Sequence, residues 1–471
     1  MGAAYAGRVL DPHLTEEAVQ TVLAAMEHDD PAQGRAAVDV WMALTAGEGP
    51  AMVSMAGLQN WLWWLLPKRS YADMYDYWIE SAAAAAALFE RLDCPAYAAI
   101  CRSDTTAKVL AAWHESRSKG LAATRRAISA SPVEPPHLDD FRWGTVFGVW
   151  ENDARSAVES ALEQAFATTG VAMPVAKWKA TAATVCRSVL DADHPDAIGQ
   201  SWRSLVASER AARWVDDVRS GGEIKAERER IAARFLAQPS PPDEAVMRRT
   251  LSSLAWLAEA CRAGLTLTAA GYLPPSIVRD AAERFDWGFD WGFGDDKPPR
   301  SEADVYGLQL VHRSALKLGI VRRQGRSLRT TKAGATIASD PRTWWYRLAV
   351  LGMGEQPYRD SVFEHTALAV LDAGTIEVEA VRRRLGERLS AEGWAEGNRP
   401  VAAESHGHQV YSAIRPWRVW GFIEHHDSKW GPTADGTIGQ LEPATIAATP
   451  AGRAAAELWL HRRVTGPRDR P

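Results

Sequence analysis

The chain has 471 residues, of which 46% are hydrophobic and 24% charged, so it is long enough for several domains that each bury a core. Its net charge of -5 argues against a chain coated in nucleic acid or held on an anionic membrane, but a local basic surface is compatible with it. The most apolar stretch, residues 55–66, is too short to span a bilayer, and no basic segment followed by an apolar one opens the N-terminus.

Cysteine usage favours a reducing compartment. The four cysteines form no CxxC pair and have no histidine at metal-ligand spacing; they are Cys94, Cys101, Cys186 and Cys261. We therefore expect reduced, mostly buried thiols in a cytoplasmic protein.

Helical periodicity runs through residues 1–237. Thr15 has the side chain of an N-cap, and Val19, Leu23 and Met26 follow it at the spacing of one helix face. No segment in this part alternates apolar and polar residues at period two. The sequence predicts about ten helices packed on one another, an all-α region. The proline-rich loop 131–136 divides it into two predicted helical subdomains, residues 1–131 and 137–237.

A winged-helix unit is predicted over residues 243–352, directly after the proline-rich linker 238–243. Its elements are a helix ending near Gly264, a strand over 265–268, a helix opened by Pro274 and Pro275, a helix over 302–318, strands over 320–323 and 327–331, and a final helix. Helix, strand, helix, helix and a two-stranded wing form the element order of a winged helix, in which the third helix occupies the recognition position.

The third helix and the wing of this unit are basic. Residues 301–347 contain nine Lys or Arg against three Asp or Glu. The candidate DNA-binding residues are Tyr306, Gln309, Arg313 and Lys317 on the helix and Arg322, Arg323, Arg326, Arg329 and Lys332 on the wing. Gln and Arg can hydrogen-bond purine edges, and Lys and Tyr suit phosphate, so the pattern predicts contact with double-stranded DNA. A solvated basic face or a protein contact is the alternative.

A tandem Asp-Trp-Gly-Phe repeat occupies residues 286–293. Its aromatic side chains form a candidate partner-binding surface: Trp287, Phe289, Trp291 and Phe293. In the alternative, which we favour, they pack as a flap on the N-terminal helices, because apolar patches on monomers are normally covered. The glycines fit no phosphate-loop pattern, so we predict no nucleotide site and no cofactor.

A second, degenerate winged-helix-like unit is predicted over residues 358–465, which makes this half of the chain a tandem repeat. Leu318-Gly-Ile-Val321 parallels Trp420-Gly-Phe-Ile423, and Thr331-Lys-Ala-Gly334 parallels Thr449-Pro-Ala-Gly452. Pro416 falls inside its recognition segment, 408–420, where it removes a backbone donor and bends or shortens the helix. We expect this copy to dimerise or pack and not to contact DNA directly.

Histidines and carboxylates near the C-terminus include candidate metal ligands: His406, His408, His425 and His426, with Glu404 and Asp427. We predict no metal site, because the pairs fall in a loop and a wing strand, where adjacent His425 and His426 point in opposite directions. No GxSxG, HExxH or P-loop motif occurs, so no catalytic residue is assigned.

Several short motifs, spread over most of the chain, resemble those of a known group of proteins. They are Leu265-Thr-Leu-Thr with Gly271-Tyr-Leu-Pro-Pro275, Leu318-Gly-Ile-Val with Thr331-Lys-Ala-Gly334, Asp340-Pro before Trp344, Ala98-Ala-Ile-Cys-Arg-Ser103 and Trp143-Gly-Thr-Val-Phe-Gly148. With these motifs the chain resembles a group of uncharacterised actinobacterial helical proteins, and the winged-helix tail of some plasmid-derived open-reading-frame proteins. The resemblance implies the fold and a cytoplasmic location, and it carries over no activity.

The expected fold class is mainly α, with an N-terminal all-α part followed by two winged-helix-like units that each have a small β wing. The leading hypothesis is a non-enzymatic protein that binds DNA, in regulation, through its first winged-helix unit. The alternatives are a protein–protein interaction scaffold and an enzyme with a C-terminal His-based metal site. Double-stranded DNA, a protein or a second copy of the chain are the candidate partners, and no membrane is expected.

Overall fold

The computed structural model describes residues 14–69, 74–170, 173–217, 223–285, 287, 299–353, 355–396, 399–400, 402–432 and 438–467. Most of these residues are helical and the strands are short, so the fold is mainly α, as predicted. No helix in these ranges is long and apolar enough to cross a lipid bilayer. Backbone contacts divide the chain into two compact units, Met1–Glu209 with Pro467–Pro471, and Arg210–Gly466.

The first unit consists of helices joined by short connections. They are α1 (Glu16–Asp29), α2 (Pro31–Thr45), α3 (Met55–Asn60), α4 (Leu66–Arg69), α5 (Tyr75–Arg91), α6 (Pro95–Arg102), α7 (Asp104–Glu115), α8 (Arg117–Ala130), α9 (Val149–Ala165), α10 (Val175–Asp191) and α11 (Trp202–Asp216), the last of which continues into the second unit. A π-helical turn at Trp61–Leu65 joins α3 to α4, and a second one at Phe166–Gly170 follows α9.

The helix boundaries follow the capping signals of the sequence. The Thr15 hydroxyl accepts a hydrogen bond from the backbone N–H of Ala18 at 3.2 Å and so caps α1. Val19, Leu23 and Met26 then face inward, with at most 3% of each side chain exposed. The predicted helical stripe is therefore the buried face of α1.

The described residues of the first unit form two hydrophobic cores. One contains buried side chains between Val19 and Val133, and the other contains buried side chains between Leu138 and Val206. The first core ends at Val133, inside the proline-rich loop 131–136 that the sequence marks as a boundary, and the second core begins at Leu138.

A short hairpin corrects the expectation that this part of the chain is purely helical. Strands β1 (Asp193–His194) and β2 (Ala197–Ser201) pair in antiparallel fashion between α10 and α11. Strands of two and five residues are too short to produce a period-two pattern that can be recognised in sequence.

The second unit alternates helices with short strands. They are α12 (Glu223–Phe235), α13 (Glu244–Thr250), α14 (Ser252–Ala260), β3 (Leu265–Thr266), α15 (Pro275–Arg284), α16 (Tyr306–Lys317), β4 (Val321–Gln324), β5 (Ser327–Thr330), α17 (Pro341–Ala349), α18 (Pro357–Ala373), β6 (Thr375–Glu377), α19 (Val378–Ala391), β7 (Ala395–Glu396), β8 (Arg399–Pro400), α20 (Ala403–Gly407), α21 (Val410–Val419), β9 (Ile423–His426), β10 (Lys429–Pro432), β11 (Ile438–Glu442), β12 (Thr445–Ala448) and α22 (Pro450–Thr465).

Two three-stranded antiparallel sheets in this unit have the same connectivity. In the first sheet β5 lies between β3 and β4, and in the second β12 lies between β6 and β9. In each case the first strand of the sheet pairs with the last one, and helices separate the first strand from the second: α15 and α16 in the first sheet, and α19, α20 and α21 with the short β7–β8 hairpin in the second. The second sheet differs by an inserted hairpin, β10–β11, between its last two strands.

The helix-to-strand junctions of these two sheets share a set of hydrogen bonds. Thr331 donates its hydroxyl to the Gly319 carbonyl at 2.6 Å and accepts the Gly334 N–H at 2.8 Å. Thr449 makes the same two bonds, to the Gly421 carbonyl at 2.7 Å and from Gly452 N–H at 3.0 Å. Gly319 and Gly421 both have positive φ, +72° and +66°, which glycine adopts without strain.

One hydrophobic core extends through the whole second unit, with buried side chains between Ala211 and Val464. Helix α22 packs against α12 and α13, so the last helix of the unit contacts helices near its start, and it also packs against α17 and α18. Arg210 donates to the Thr465 carbonyl at 3.2 Å and joins the two ends of the unit. The structure thus groups α12 with this unit, whereas the sequence places it in the second helical subdomain.

The helix predicted over 302–318 is interrupted near its start. Residues Glu302–Asp304 form a separate 3-10 turn, which Ser301 and Asp304 close with a reciprocal capping box. Val305 is extended, with φ -127° and ψ 92°, so α16 begins at Tyr306. The Asp304 carboxylate forms part of this cap, since it accepts hydrogen bonds from the backbone N–H groups of Arg300 and Ser301 at 2.9 Å.

Candidate functional site

The β4–β5 hairpin presents the wing cations predicted from the sequence. Arg322, Arg323, Arg326, Arg329 and Lys332, which we call the basic hairpin, are all exposed. The strand register places Arg323 opposite Leu328 and Arg322 opposite Arg329. Leu328 is completely buried, so its side of the hairpin faces the core and the Arg322–Arg329 side faces away from it.

Arg322 and Arg329 are directly opposite each other on adjacent strands. Side chains in this position have Cβ atoms about 4.5–5.5 Å apart, and like charges placed there repel each other. Neither guanidinium forms an ion pair with a carboxylate among the described residues. Two arginines held together without a local counter-charge form a surface that an anion stabilises, above all a phosphate that can accept hydrogen bonds from both.

The other two hairpin arginines are partly engaged by the backbone. Arg326 donates from Nε and Nη2 to the Leu267 carbonyl at 3.1 and 2.9 Å, while Leu267 N–H donates to the Arg326 carbonyl at 2.8 Å. Arg323 donates from Nε to the Gly325 carbonyl at 2.9 Å. Arg326 therefore fastens the hairpin to the segment after β3, and Arg323 orders the turn.

The predicted recognition face of α16 does not point into open solvent as one continuous surface. Tyr306, Arg313 and Lys317 form part of the wall of a cleft inside the second unit. Gln309 lies beside them, where its amide donates to the Ala303 carbonyl at 3.0 Å and accepts from Arg313 Nη2 at 3.3 Å. Lys317 forms an ion pair with Glu355.

The cleft has a volume of about 580 Å³. Its walls include Tyr306, Leu310, Arg313, Ser314 and Lys317 from α16, Tyr358, Arg359, Val362 and Phe363 from α18, Ser412, Pro416 and Trp417 from α21 with Gln409 just before it, and Trp459 from α22. Helices α16 and α21 also contact each other directly. No residue of the basic hairpin lines the cleft, so the structure divides the predicted DNA-binding residues into two groups.

No protein-family model, curated protein or solved structure matches the chain. The resemblance to actinobacterial and plasmid-derived proteins therefore stays a prediction, and the site is interpreted from its own geometry.

The aromatic flap is described only in part. Trp287 is 9% exposed, and its indole stacks on Phe285 with ring centroids 5.0 Å apart. It also packs so closely on Gly307 that a Cβ there would overlap the indole ring. Trp287 thus packs inside the second unit, at the start of α16. The other three candidate partner-binding residues, Phe289, Trp291 and Phe293, lie outside the described residues.

The C-terminal histidines are held by separate partners. His406 is buried, with Nδ1 2.8 Å from the Tyr358 hydroxyl, while His425 lies 3.2 Å from an Asp427 oxygen and 3.5 Å from Arg418 Nη1. In the described part of the chain, only Glu364, His365 and Glu392 bring three candidate metal-ligand atoms within 4.8 Å of one another. The histidines predicted as possible ligands are therefore not assembled into one site.

The Glu364, His365 and Glu392 group is an internal ion-pair network. Nε2 of His365 lies 2.9 Å from Oε1 of Glu392, whose other oxygen accepts from the Trp394 indole at 2.8 Å. Arg463 donates to Glu364 at 3.0 Å. Each carboxylate thus has a cationic partner, which accounts for the cluster without a metal ion.

The pKa values of this pair follow from burial and pairing. Burial opposes the negative charge of Glu392, but hydrogen bonds from His365 and Trp394 overcome that effect and lower its pKa to about 2. Burial also disfavours a protonated His365, but the bond to Glu392 and the nearby carboxylates raise its pKa above the usual value. His365 and Glu392 therefore form a buried, charged pair.

Several cleft residues escaped the sequence interpretation. Arg359 and Phe363 come from α18, and Trp417 comes from α21. Glu355, which pairs with the lining residue Lys317, is not itself part of the cleft wall. They are separated in sequence from α16 by up to a hundred residues or so, and no local pattern links them. One signal was available: Leu310 and Ser314 precede Gly319 by the same intervals as Ser412 and Pro416 precede Gly421. All four residues line the cleft.

Proposed function

We propose that residues 210–466 carry two winged-helix-like units and that the first binds double-stranded DNA through the basic hairpin. The observation that carries the proposal is the cross-strand pair Arg322–Arg329, which faces away from the core and lacks a carboxylate partner among the described residues. Wing arginines in this fold contact the DNA backbone, and phosphate oxygens match guanidinium groups in charge and geometry.

The repeated architecture supports the winged-helix and tandem-repeat interpretation. Each sheet has its first strand paired with its last, and each junction contains the Thr–Gly hydrogen bonds of Thr331 and Thr449. In this scheme α16 and α21 occupy the recognition position in their respective units. The inserted β10–β11 hairpin and the interior Pro416 distinguish the second copy from the first.

The position of α16 shapes the kind of DNA binding proposed. Tyr306, Arg313 and Lys317 line a cleft closed by α18 and α21, where a duplex does not fit. We therefore assign the basic hairpin to phosphate contact and assign no base recognition to the α16 face. Binding of this kind depends strongly on salt and only weakly on DNA sequence.

Fluorescence polarisation with a labelled duplex tests the proposal. We expect the full chain to bind at low salt and the double variant Arg322→Ala/Arg329→Ala to bind about tenfold more weakly or worse. A control variant, Arg248→Ala/Arg284→Ala, removes the same charge from two exposed arginines of the same unit that are already paired with Glu244 and Asp280. It should bind like the unmodified protein.

Two results would overturn the proposal. The first is no binding at low salt by a folded protein. The second is an equal loss in the two double variants, because that would assign the effect to net charge and not to the hairpin. The choice of Arg322 and Arg329 avoids Arg326, whose loss would also loosen the hairpin.

A further inference from the structure

The cleft between α16, α18 and α21 has the volume of a small-molecule site and is lined on several sides by helices. Its volume of about 580 Å³ falls within the range of about 300–1,000 Å³ that is usual for ligand pockets. It lies within the second unit, and most of its lining residues come from helices. The basic hairpin contributes none of its walls, so a role for the cleft is independent of the DNA proposal.

The apolar part of the cleft is aromatic. Phe363, Trp417 and Trp459 form a packed cluster, in which the Phe363 ring is 5.8 Å from Trp417, edge to face, and 5.0 Å from Trp459 at an angle of 30°. Trp420 adds a further aromatic side chain to the lining. Such walls favour a ligand with an aromatic or aliphatic body, since burying apolar area contributes to binding without directional bonds.

The charged part of the cleft is entirely cationic. Arg313, Lys317 and Arg359 line it, and its walls contain no Asp or Glu side chain among the described residues. Lys317 is neutralised by Glu355, but among the described residues Arg313 bonds only to the Gln309 amide, at 3.3 Å. Arg359 is half-buried over the Phe363 ring, 5.3 Å from its centroid, and has no carboxylate partner among the described residues.

A half-buried guanidinium without a counter-charge loses hydration that contact with an aromatic ring replaces only in part. A ligand anion restores that loss through charge-assisted hydrogen bonds, and the planar guanidinium suits a carboxylate. We propose that this cleft binds a small organic carboxylate, with Arg359 and Arg313 holding the anionic group and Phe363, Trp417 and Trp420 contacting its apolar body.

The test compares charged and neutral probes of the same shape. Anilinonaphthalene sulfonate carries an anionic group on an aromatic body, and phenylnaphthylamine is the same skeleton without the charge. Fluorescence titration of the full chain should give saturable binding of the sulfonate and much weaker binding of the amine. Naphthoate should displace the bound sulfonate, and its methyl ester should not.

Three variants locate the site. Arg359→Gln, and separately Arg313→Gln, should weaken sulfonate binding about tenfold, the effect of losing one charge-assisted hydrogen bond, and leave the amine unchanged. Ser412→Trp places a large side chain at an exposed cleft position and should abolish binding of both probes. Arg284→Gln, an exposed arginine paired with Asp280 outside the cleft, is the matched control and should bind normally.

Circular dichroism and thermal unfolding establish that each variant is folded before it is titrated. Equal binding of the two probes would overturn the recognition of an anion. Sulfonate binding that survives Ser412→Trp would place the site elsewhere, and no sulfonate binding at all would remove the proposal. None of these outcomes depends on whether the chain binds DNA.

Discussion

At the scale of single residues, the hairpin arginines divide into two kinds. Arg322 and Arg329 are opposite each other on the side of the hairpin that faces away from the core, and neither pairs with a carboxylate among the described residues. Arg326 instead donates two hydrogen bonds to the Leu267 carbonyl. The Arg322–Arg329 pair destabilises the fold because two like charges are adjacent. Arg326 stabilises it because its guanidinium hydrogen-bonds the carbonyl of buried Leu267. Sequence alone cannot separate them, since both are arginines of one hairpin.

This division predicts opposite effects of two alanine substitutions. Arg326→Ala should lower the free energy of unfolding by about 1–2 kcal/mol, because the hairpin loses its two bonds to Leu267. Arg329→Ala should leave stability unchanged or raise it by a few tenths of a kcal/mol, because a repulsion is relieved. Urea unfolding of both variants checks this, and an equal loss in the two would contradict the assignment.

The buried pair His365–Glu392 predicts how stability depends on pH. Glu392 has a folded pKa of about 2 against an ordinary value of 4.5, so its contribution is complete above about pH 4.5 and is lost as the pH falls toward 2. His365 has a raised folded pKa against an ordinary 6.5, so its contribution is complete below pH 6.5 and is lost as the pH rises through the folded value.

The pair therefore stabilises the fold most between those two ordinary values. The difference in unfolding free energy between the unmodified protein and Glu392→Gln should be largest near about pH 5.5 and smaller near about pH 8.5. Glu259→Gln, which removes an exposed carboxylate paired with Arg262, is the surface control and should give only a small difference at both pH values. A difference for Glu392→Gln that grows with rising pH would show that the pair is not charged.

At the scale of elements, the hydrogen bonds that Thr331 and Thr449 make with nearby glycines stabilise the helix–strand junctions of the two sheets. Gly334 and Gly452 pack so tightly that a Cβ would overlap the carbonyl oxygens of Ile320 and Phe422. Gly334→Ala and Gly452→Ala should each destabilise the protein by roughly 1–3 kcal/mol or more, since backbone atoms must move apart.

Thermal or urea unfolding measures this effect against a control in the hairpin turn. Gly325 has a φ of +60° and no neighbouring atom within 4 Å, so Gly325→Asn should be nearly neutral because Asn tolerates that conformation. If alanine is harmless at one junction and damaging at the other, the two junctions are not equivalent.

Much of the local structure could be predicted from sequence, and the reasons are physical. Thr15 caps α1 and the stripe from Val19 to Met26 is buried, because helix ends and faces are set by residues close together in sequence. The β1–β2 hairpin and the start of α16 at Tyr306 could not be predicted, since short strands lack periodicity and the Ser301 capping box competes with the longer helix.

The candidate site was predictable only in its local part. The cations predicted for a wing follow from a turn and a run of arginines; the structure places the four arginines on the β4–β5 hairpin and Lys332 two residues after β5, all of them exposed. The cleft depends on α16 meeting α18 and α21, which the helical pattern of α16 does not encode. For the same reason the outer face of α16 was interpreted as open, whereas Tyr306, Arg313 and Lys317 form a wall.

At the scale of the whole molecule, backbone contacts divide the chain into two compact units, and the division into four segments stays a prediction. Both sheets share one core in the second unit, and α22 packs against α12, α13 and α17. Proline-rich linkers such as residues 238–243 mark where helices stop, but they do not show whether the helices on either side share a core.

This organisation predicts where the chain can be cut. A fragment of residues 210–466 should be helical and unfold in one cooperative transition, because it contains an entire core. A fragment of residues 210–352 should aggregate or remain unfolded, because removal of α18, α21 and α22 exposes Trp345 and the other aromatic side chains of that core. Circular dichroism and size-exclusion chromatography decide between these outcomes.

The most direct measurement for the whole account is the salt dependence of duplex binding by the full chain and by Arg322→Ala/Arg329→Ala. Counterion release makes the logarithm of the binding constant fall linearly with the logarithm of salt concentration, by about 0.9 per phosphate contact. The account predicts a steep slope for the unmodified protein and a slope shallower by about 2 for the variant. Identical slopes would contradict phosphate contact by these two arginines, as would binding that does not depend on salt.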